Sequence, residues 1–200
     1  MDDPHLEHFP AGYFDRADET DDAEFYSFDR FVTHIDGGAI DAVGELYDEL
    51  GLDGEVLDLC SSWISHFRTR PERLAITGMN ARELAANELA DEWVVCDLNA
   101  QPMLPFDDAS FDAVTCCVSI DYLARPLDVF AEVARVLRTG GAFVCTFSNR
   151  CFPTKAIRGW LSTGDRGRVA IVARYFELTA GFGAPTAQHR NAGAPGDPLY

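Results

Sequence analysis

Lysine is almost missing from this sequence. Among its 16 basic residues only Lys155 is a lysine and the rest are arginines, set against 33 Asp plus Glu for a net charge of -17 over 200 residues. Such a surface repels a phosphate backbone, which excludes nucleic acid as an expected partner. An acidic surface nearly free of lysine is also what keeps a protein soluble where molar salt shortens the Debye length to about 3 Å. The composition is therefore read as halophile adaptation, with an acidic face shaped for a cationic partner as the alternative. No C-x-x-C pair occurs, and no histidine stands near a cysteine at metal-ligand spacing, so no metal is expected. The six cysteines lie in or beside apolar runs and read as small buried hydrophobes of a reducing compartment. No apolar stretch approaches the roughly 18 residues of a membrane span, and MDDPHLEHF lacks the basic and apolar regions of a leader. The expectation is a cytoplasmic protein with no membrane partner.

What is present is enough apolar residue, 47%, to bury one core. Residues 1–36 read as an acidic and aromatic arm or lid, broken early by Pro4, Pro10 and Gly12, and residues 37–200 as a single domain. Ile40, Val43, Leu46, Tyr47 and Leu50 have helical spacing and end at Gly51, where a C-cap belongs. Short apolar strands follow at Glu55 to Cys60, Leu74 to Thr77, Trp93 to Cys96, Phe111 to Ser119 and Ala142 to Phe147. Between them, Asn80 with Glu83 forms a capping-box-like start for a helix over Ala81 to Leu89. Pro126 opens another over Leu127 to Leu137, which Gly140 closes. Lys155 to Leu161 and Arg166 to Ala180 also read as helical. Strands alternating with helices imply an α/β fold, a doubly wound and mostly parallel sheet in three α/β/α layers, with ligands at the carboxyl ends of its strands.

The ordered series Val56-Leu57-Asp58-Leu59-Cys60-Ser61-Ser62-Trp63, Gly78-Met79-Asn80, Cys96-Asp97-Leu98, Leu104-Pro105-Phe106, Ser110-Phe111-Asp112-Ala113-Val114 and Glu132 to Gly141 resembles the class I S-adenosylmethionine-dependent methyltransferases of the type 11 domain family. The stretch Phe25 to Asp36 resembles the entry segment of a divergent branch whose first loop carries Ser-Ser-Trp. The resemblance implies a seven-stranded Rossmann-like sheet with S-adenosyl-L-methionine over the ends of strands one to four. It also implies a small-molecule methyl acceptor. Carried over residue by residue, it points to Asp58, Cys60, Ser61, Ser62, Met79, Asn80, Asp97, Leu98 and Ser119 as cofactor-binding. Asp97 would accept from the adenine amine, the Leu98 amide would donate to the ring, and Asp58 would hold the first loop through backbone amides.

The sequence departs from the family at two points. Its first loop has Cys60, Ser62 and Ile64 where the family has three glycines, and Asn80 stands where the family has an acid for the ribose hydroxyls. The hydroxyls of Ser61 and Ser62 and the amide of Asn80 can still hydrogen-bond a ligand, more weakly than a charged acceptor would.

Methyl transfer from a sulfonium is an in-line displacement that depends on alignment in a dry pocket, so a catalytic motif is not required. His34 and Asp36 would share one face of an extended segment and could serve as base and orienter, with a solvated polar edge as the alternative. Asp121 and Tyr122 follow the fourth strand, where Asp121 either orients an amine acceptor or caps a helix. Three functions compete: an active methyltransferase, an inactive binding or regulatory protein of the same fold, and a nicotinamide-dependent reductase. The third lacks both G-x-G-x-x-G and a Tyr-x-x-x-Lys pair. Asp197-Pro198-Leu199-Tyr200 resembles the start of the family's last strand, so the closing hairpin is expected to be cut short or its edge covered by the arm or another subunit. A monomer or homodimer is expected.

Overall fold

The computed structural model describes residues 7–200; the first six residues of the acidic arm lie outside the described residues. Five strands form one sheet: β1 (Glu55–Leu59), β2 (Arg73–Gly78), β3 (Glu92–Val95), β4 (Phe111–Cys117) and β5 (Leu137–Thr146). Their order is β3-β2-β1-β4-β5 and every pairing is parallel. The winding reverses between β1 and β4, which opens a crevice at the carboxyl ends of those two strands. Among the described residues the sheet has five strands and not the seven that the family resemblance implied. Beyond β5, Phe147 and Tyr200 exchange both backbone hydrogen bonds at 3.0 Å.

Alternation along the strands builds a core on each face. Leu57 and Leu59 of β1, Ala75 of β2 and Val114 and Cys116 of β4 pack on one side under α4 (Pro126–Val136) and α6 (Asp165–Leu178). Val56, Leu74, Ile76 and Ala113 pack on the other under α2 (Gly37–Glu49). The amphipathic spacing of α4 places Leu127, Phe130 and Val133 inward, and Pro126 begins it where a missing N–H costs nothing.

Local chemistry shifts several expected boundaries. The helix after β2, α3, covers only Ala81–Ala85 and not Ala81 to Leu89. Asn87 ends it by donating to Ser62 O and Ser65 Oγ, while its own Oδ1 accepts from the Leu89 amide. The expected helix over Lys155 to Leu161 is reduced to α5 (Arg158–Leu161). Gly140 does not close α4. The chain passes from Val136 directly into β5, and Gly140, at φ +87°, sits in an irregularity of the β4–β5 register. A Cβ on the adjoining Gly141 would lie 2.8 Å from Asp112 O, so the two strands could not approach there with a larger residue.

The arm lies over the body. After α1 (Asp22–Phe25) its chain runs on to α2, and before α1 Phe9, Tyr13 and Phe14 pack against the core beside Tyr175. The carbonyls of Tyr13 and Asp15 accept from the amides of Gly159 and Arg158 at 2.9 and 2.8 Å. An ion cluster fixes the other end. Lys155, fully buried, donates to Thr20 O at 2.8 Å and pairs with Asp22 at 3.0 Å, and Asp22 also accepts from Arg16 and from Asn99 Nδ2. Burial opposes ionisation of Asp22, but donors from Asn99, Arg16 and Lys155 outweigh it and hold the carboxyl below its usual range. Lys155→Met leaves part of that charge uncompensated and is expected to cost about 3 kcal/mol in urea unfolding. Because the pair is buried, the loss should be the same in dilute and molar salt; a loss that vanishes in salt would contradict this account.

Candidate functional site

The crevice is a cavity of about 620 Å³, within the usual range for small-molecule sites. Its floor is made by the segments that leave the carboxyl ends of β1 to β4. Its roof is made by residues 26–35 of the arm, with residues 149–153 after β5 closing one side. All nine residues assigned to the cofactor from sequence line it: Asp58, Cys60, Ser61, Ser62, Met79, Asn80, Asp97, Leu98 and Ser119.

The first loop keeps a glycine-like backbone without glycine. Cys60 has φ +52°, and Val118, at the end of β4 across the crevice, has φ +47°. Such angles cost an L-residue about 1–2 kcal/mol, more so a β-branched one. Asp58 holds the loop through hydroxyls and not through the amides that the resemblance implied, while the Ser61 amide donates to Thr77 O of β2 at 2.7 Å. The Asp58 carboxylate accepts from Ser61 Oγ at 2.7 Å, Ser65 Oγ at 2.9 Å and, across the sheet, Thr115 Oγ1 at 2.7 Å. Burial nevertheless raises the Asp58 pKa, with the three hydroxyls opposing. A Cβ on Gly78 would fall 2.3 Å from Ser61 O, so the loop can lie against the end of β2 only because that residue is glycine.

Asp97 makes a turn: its Oδ1 accepts from the amides of Asn99 and Ala100 at 2.9 and 3.0 Å, and Leu98 beside it is buried. Ser119 Oγ donates to Cys117 O at 3.1 Å. Asn80 caps α3, its Oδ1 accepting from the amides of Arg82 and Glu83, and its Nδ2 donates to Tyr26 O and Asp29 Oδ1 of the roof. Glu83 does not return to Asn80 as a capping box requires; its carboxylate accepts from the Arg30 amide and from Ser62 Oγ. Trp63 Nε1 donates to Val32 O at 3.1 Å, a further tie between loop and roof.

The candidates for chemistry divide. His34 and Tyr122 line the cavity, whereas Asp36 and Asp121 do not. Asp36 is the N-cap of α2, with Oδ1 accepting from the Ala39 amide and Oδ2 from that of Asp197, so it does not orient His34. Burial holds His34 below the usual histidine range, and its ring packs edge-on to Phe152. The Tyr122 hydroxyl accepts from the Phe152 amide at 2.8 Å and burial pushes its pKa up, which suits a wall more than a base. Asp121 is buried with Oδ2 lacking a partner among the described residues, and burial pushes its pKa up to about 8 with Arg168 opposing. It is buried and is not among the residues that line the cleft. Among the described residues no group of three or more His, Cys, Asp or Glu could hold a metal, and no helix is long and apolar enough to cross a membrane.

Sequence reasoning missed Glu83, Phe152 and the Lys155–Asp22 pair. Only the last carried a signal, a lone lysine set in an apolar stretch.

A parallel doubly wound sheet with its cleft at the switch point defines the class as α/β and puts the candidate ligand site at the carboxyl ends of the strands. Residues 57–145 match the family model described as a methyltransferase domain. The chain is 40% identical over 108 residues to the ubiquinone/menaquinone biosynthesis C-methyltransferase of Desulfotalea psychrophila, covering 46% of this chain and 40% of that protein. It is 31% identical over 143 residues to the malonyl-[acyl-carrier protein] O-methyltransferase of Hahella chejuensis, covering 65% of this chain and 50% of that one. The chain thus spans half or less of the length of these relatives. Among solved structures, the YcgJ protein of Bacillus subtilis superposes with a TM-score of 0.46 at 19% identity over 54% of this chain and 50% of its own.

The buried Asp121 gives a pH signature. A carboxyl raised from near 4 when unfolded to about 8 when folded stabilises most below pH 4, and that stability is lost as pH rises toward 8. Asp121→Asn is expected to flatten this decline and to be more stable than the parent at pH 8 by on the order of a few kcal/mol. Parallel melting curves across pH 5–9 for the two proteins would refute it.

Proposed function

We propose that this protein binds S-adenosyl-L-methionine in the cleft and transfers its methyl group to a small-molecule acceptor. The observation that carries the reading is that the four strand ends of a methyltransferase-family segment converge, in family order, on one cavity of about 620 Å³. The residues present suit the cofactor. The turn at Asp97 and Leu98 offers a carboxylate and an amide to the adenine. Ser61 and Ser62 offer hydroxyls at the loop that would face the amino acid end. When bound, the cofactor supplies an electrophilic methyl group on a sulfonium. The chain's part is then to align and to dry: the roof from Tyr26 to Ile35 and the ring of Phe152 exclude water, and Tyr122 fixes the Phe152 backbone. His34, held neutral by its surroundings, is the group in this wall able to take a proton from an acceptor that must lose one.

A second reading, binding without turnover, is favoured by Asn80, whose side chain is spent on the roof and the helix cap. The same proposal includes a cytoplasmic, salt-rich setting and a monomer or homodimer.

Calorimetric titration of S-adenosylmethionine and S-adenosylhomocysteine in molar salt should give micromolar dissociation constants, with NADH inert. Asp97→Ala should weaken both by about tenfold or more, the worth of a charge-assisted hydrogen bond. A folded protein that binds neither compound would rule out the assignment, and binding without methyl loss to any acceptor would favour the second reading. The salt-rich setting predicts a melting temperature that climbs from dilute buffer to molar salt as repulsion among the net -17 charges is screened; a flat profile would remove that part of the proposal.

A further inference from the structure

The acid that reads a ribose in doubly wound folds ordinarily stands at the end of the second strand, where Asn80 stands here. An amide side chain has two acceptor sites and two N–H donors, and Asn80 uses all four: Oδ1 on the amides of Arg82 and Glu83, Nδ2 on Tyr26 O and Asp29 Oδ1. Turning it toward a ligand would uncap α3 and release the roof together.

One helical turn further on, Glu83 lines the same cavity and is 8% exposed. Its Oε1 accepts from the Arg30 amide at 2.6 Å and its Oε2 from Ser62 Oγ at 2.5 Å. Both donors are neutral, and Glu83 has no ion-pair partner among the described residues; the neighbouring guanidinium of Arg30 is occupied by Phe25 O and Phe28 O, and Arg82 pairs with Asp29. An ionised carboxylate accepts about four hydrogen bonds, so each oxygen keeps one free site. Two acceptor oxygens of one carboxylate, held in place by a loop and a roof at the cavity lining, match in number the two hydroxyls of a cis-diol.

We propose that Glu83, and not the residue closing β2, reads the ribose diol of the nucleoside bound in this cleft. The proposal rests on the cofactor assignment above and deepens it. It makes Glu83 a binding residue whose carboxylate is shared between ligand, first loop and roof.

The test is calorimetry with two probes, S-adenosylhomocysteine and its 2′,3′-dideoxy counterpart. The parent protein should prefer the diol by about tenfold or more, as hydrogen bonds to a buried charge do. In Glu83→Gln the preference should fall to within about twofold, the change expected when a neutral amide replaces the charge. Asn80→Ser, which keeps a capping oxygen, should retain the parent's preference. Should Glu83→Gln not fold, Ser62→Ala, which frees one side of the carboxylate, should still lower it. A Glu83→Gln protein that loses affinity for both probes equally would make Glu83 a roof latch only and overturn the proposal. Loss of the preference in Asn80→Ser would overturn it in favour of Asn80. Parent protein that binds neither probe would bring down the cofactor assignment itself, a separate result.

Discussion

A carboxylate taken out of water must be compensated where it lies, and Asp22 sets that condition for much of this molecule. Its partners come from three distant stretches: Arg16 from the arm, Asn99 from the turn after β3 and Lys155 from the segment after β5. Satisfying one charge therefore brings together the arm that carries the roof, the turn after β3 and the segment that follows the far wall. The absence of lysine elsewhere gives the exception its meaning. Its long flexible stem carries a point charge to the buried carboxylate beside the Phe25 ring, 5.4 Å from the ring centroid, while the Arg16 guanidinium meets the same carboxylate from the arm.

The first loop makes a related compromise. The backbone there takes the left-handed angle that favours glycine, yet Cys60 occupies it, and Val118 does the same across the crevice. Strain of this kind persists only where the surroundings overdetermine it. They do so through Asp58, whose three hydroxyl partners tie the loop to its own helix-facing side and to β4. The loop thus owes its shape to a buried carboxylate and serine hydroxyls instead of to the freedom of glycine.

Short apolar runs made the sheet legible: those at β1, β2 and β4 mark strands buried on both faces, the amphipathic segments between them mark the helices, and parallel winding then fixes where a cleft must open. Polar side chains were legible only where their partners were local. Asp97, engaged by amides two and three residues on, belongs to a turn that its position after a strand already suggests. Asp36 read as a base's orienter or part of a solvated polar edge and is instead a cap, because the Asp197 amide that completes its environment comes from a segment distant in sequence. Glu83 had the spacing of a capping box but found better donors in Ser62 and Arg30, and nothing in the local sequence announces an amide brought by a folded-back arm. Gly140 had the position of a helix terminator, yet the helix and strand adjoin and the glycine serves the sheet.

The roof is fastened to the cleft walls by bonds from Asn80, Glu83 and Trp63, each ending on a backbone group of residues 26–32. Lifting the arm would break several of these bonds at once, so its opening would be a local unfolding event, with a rate separate from that of diffusion into the cleft.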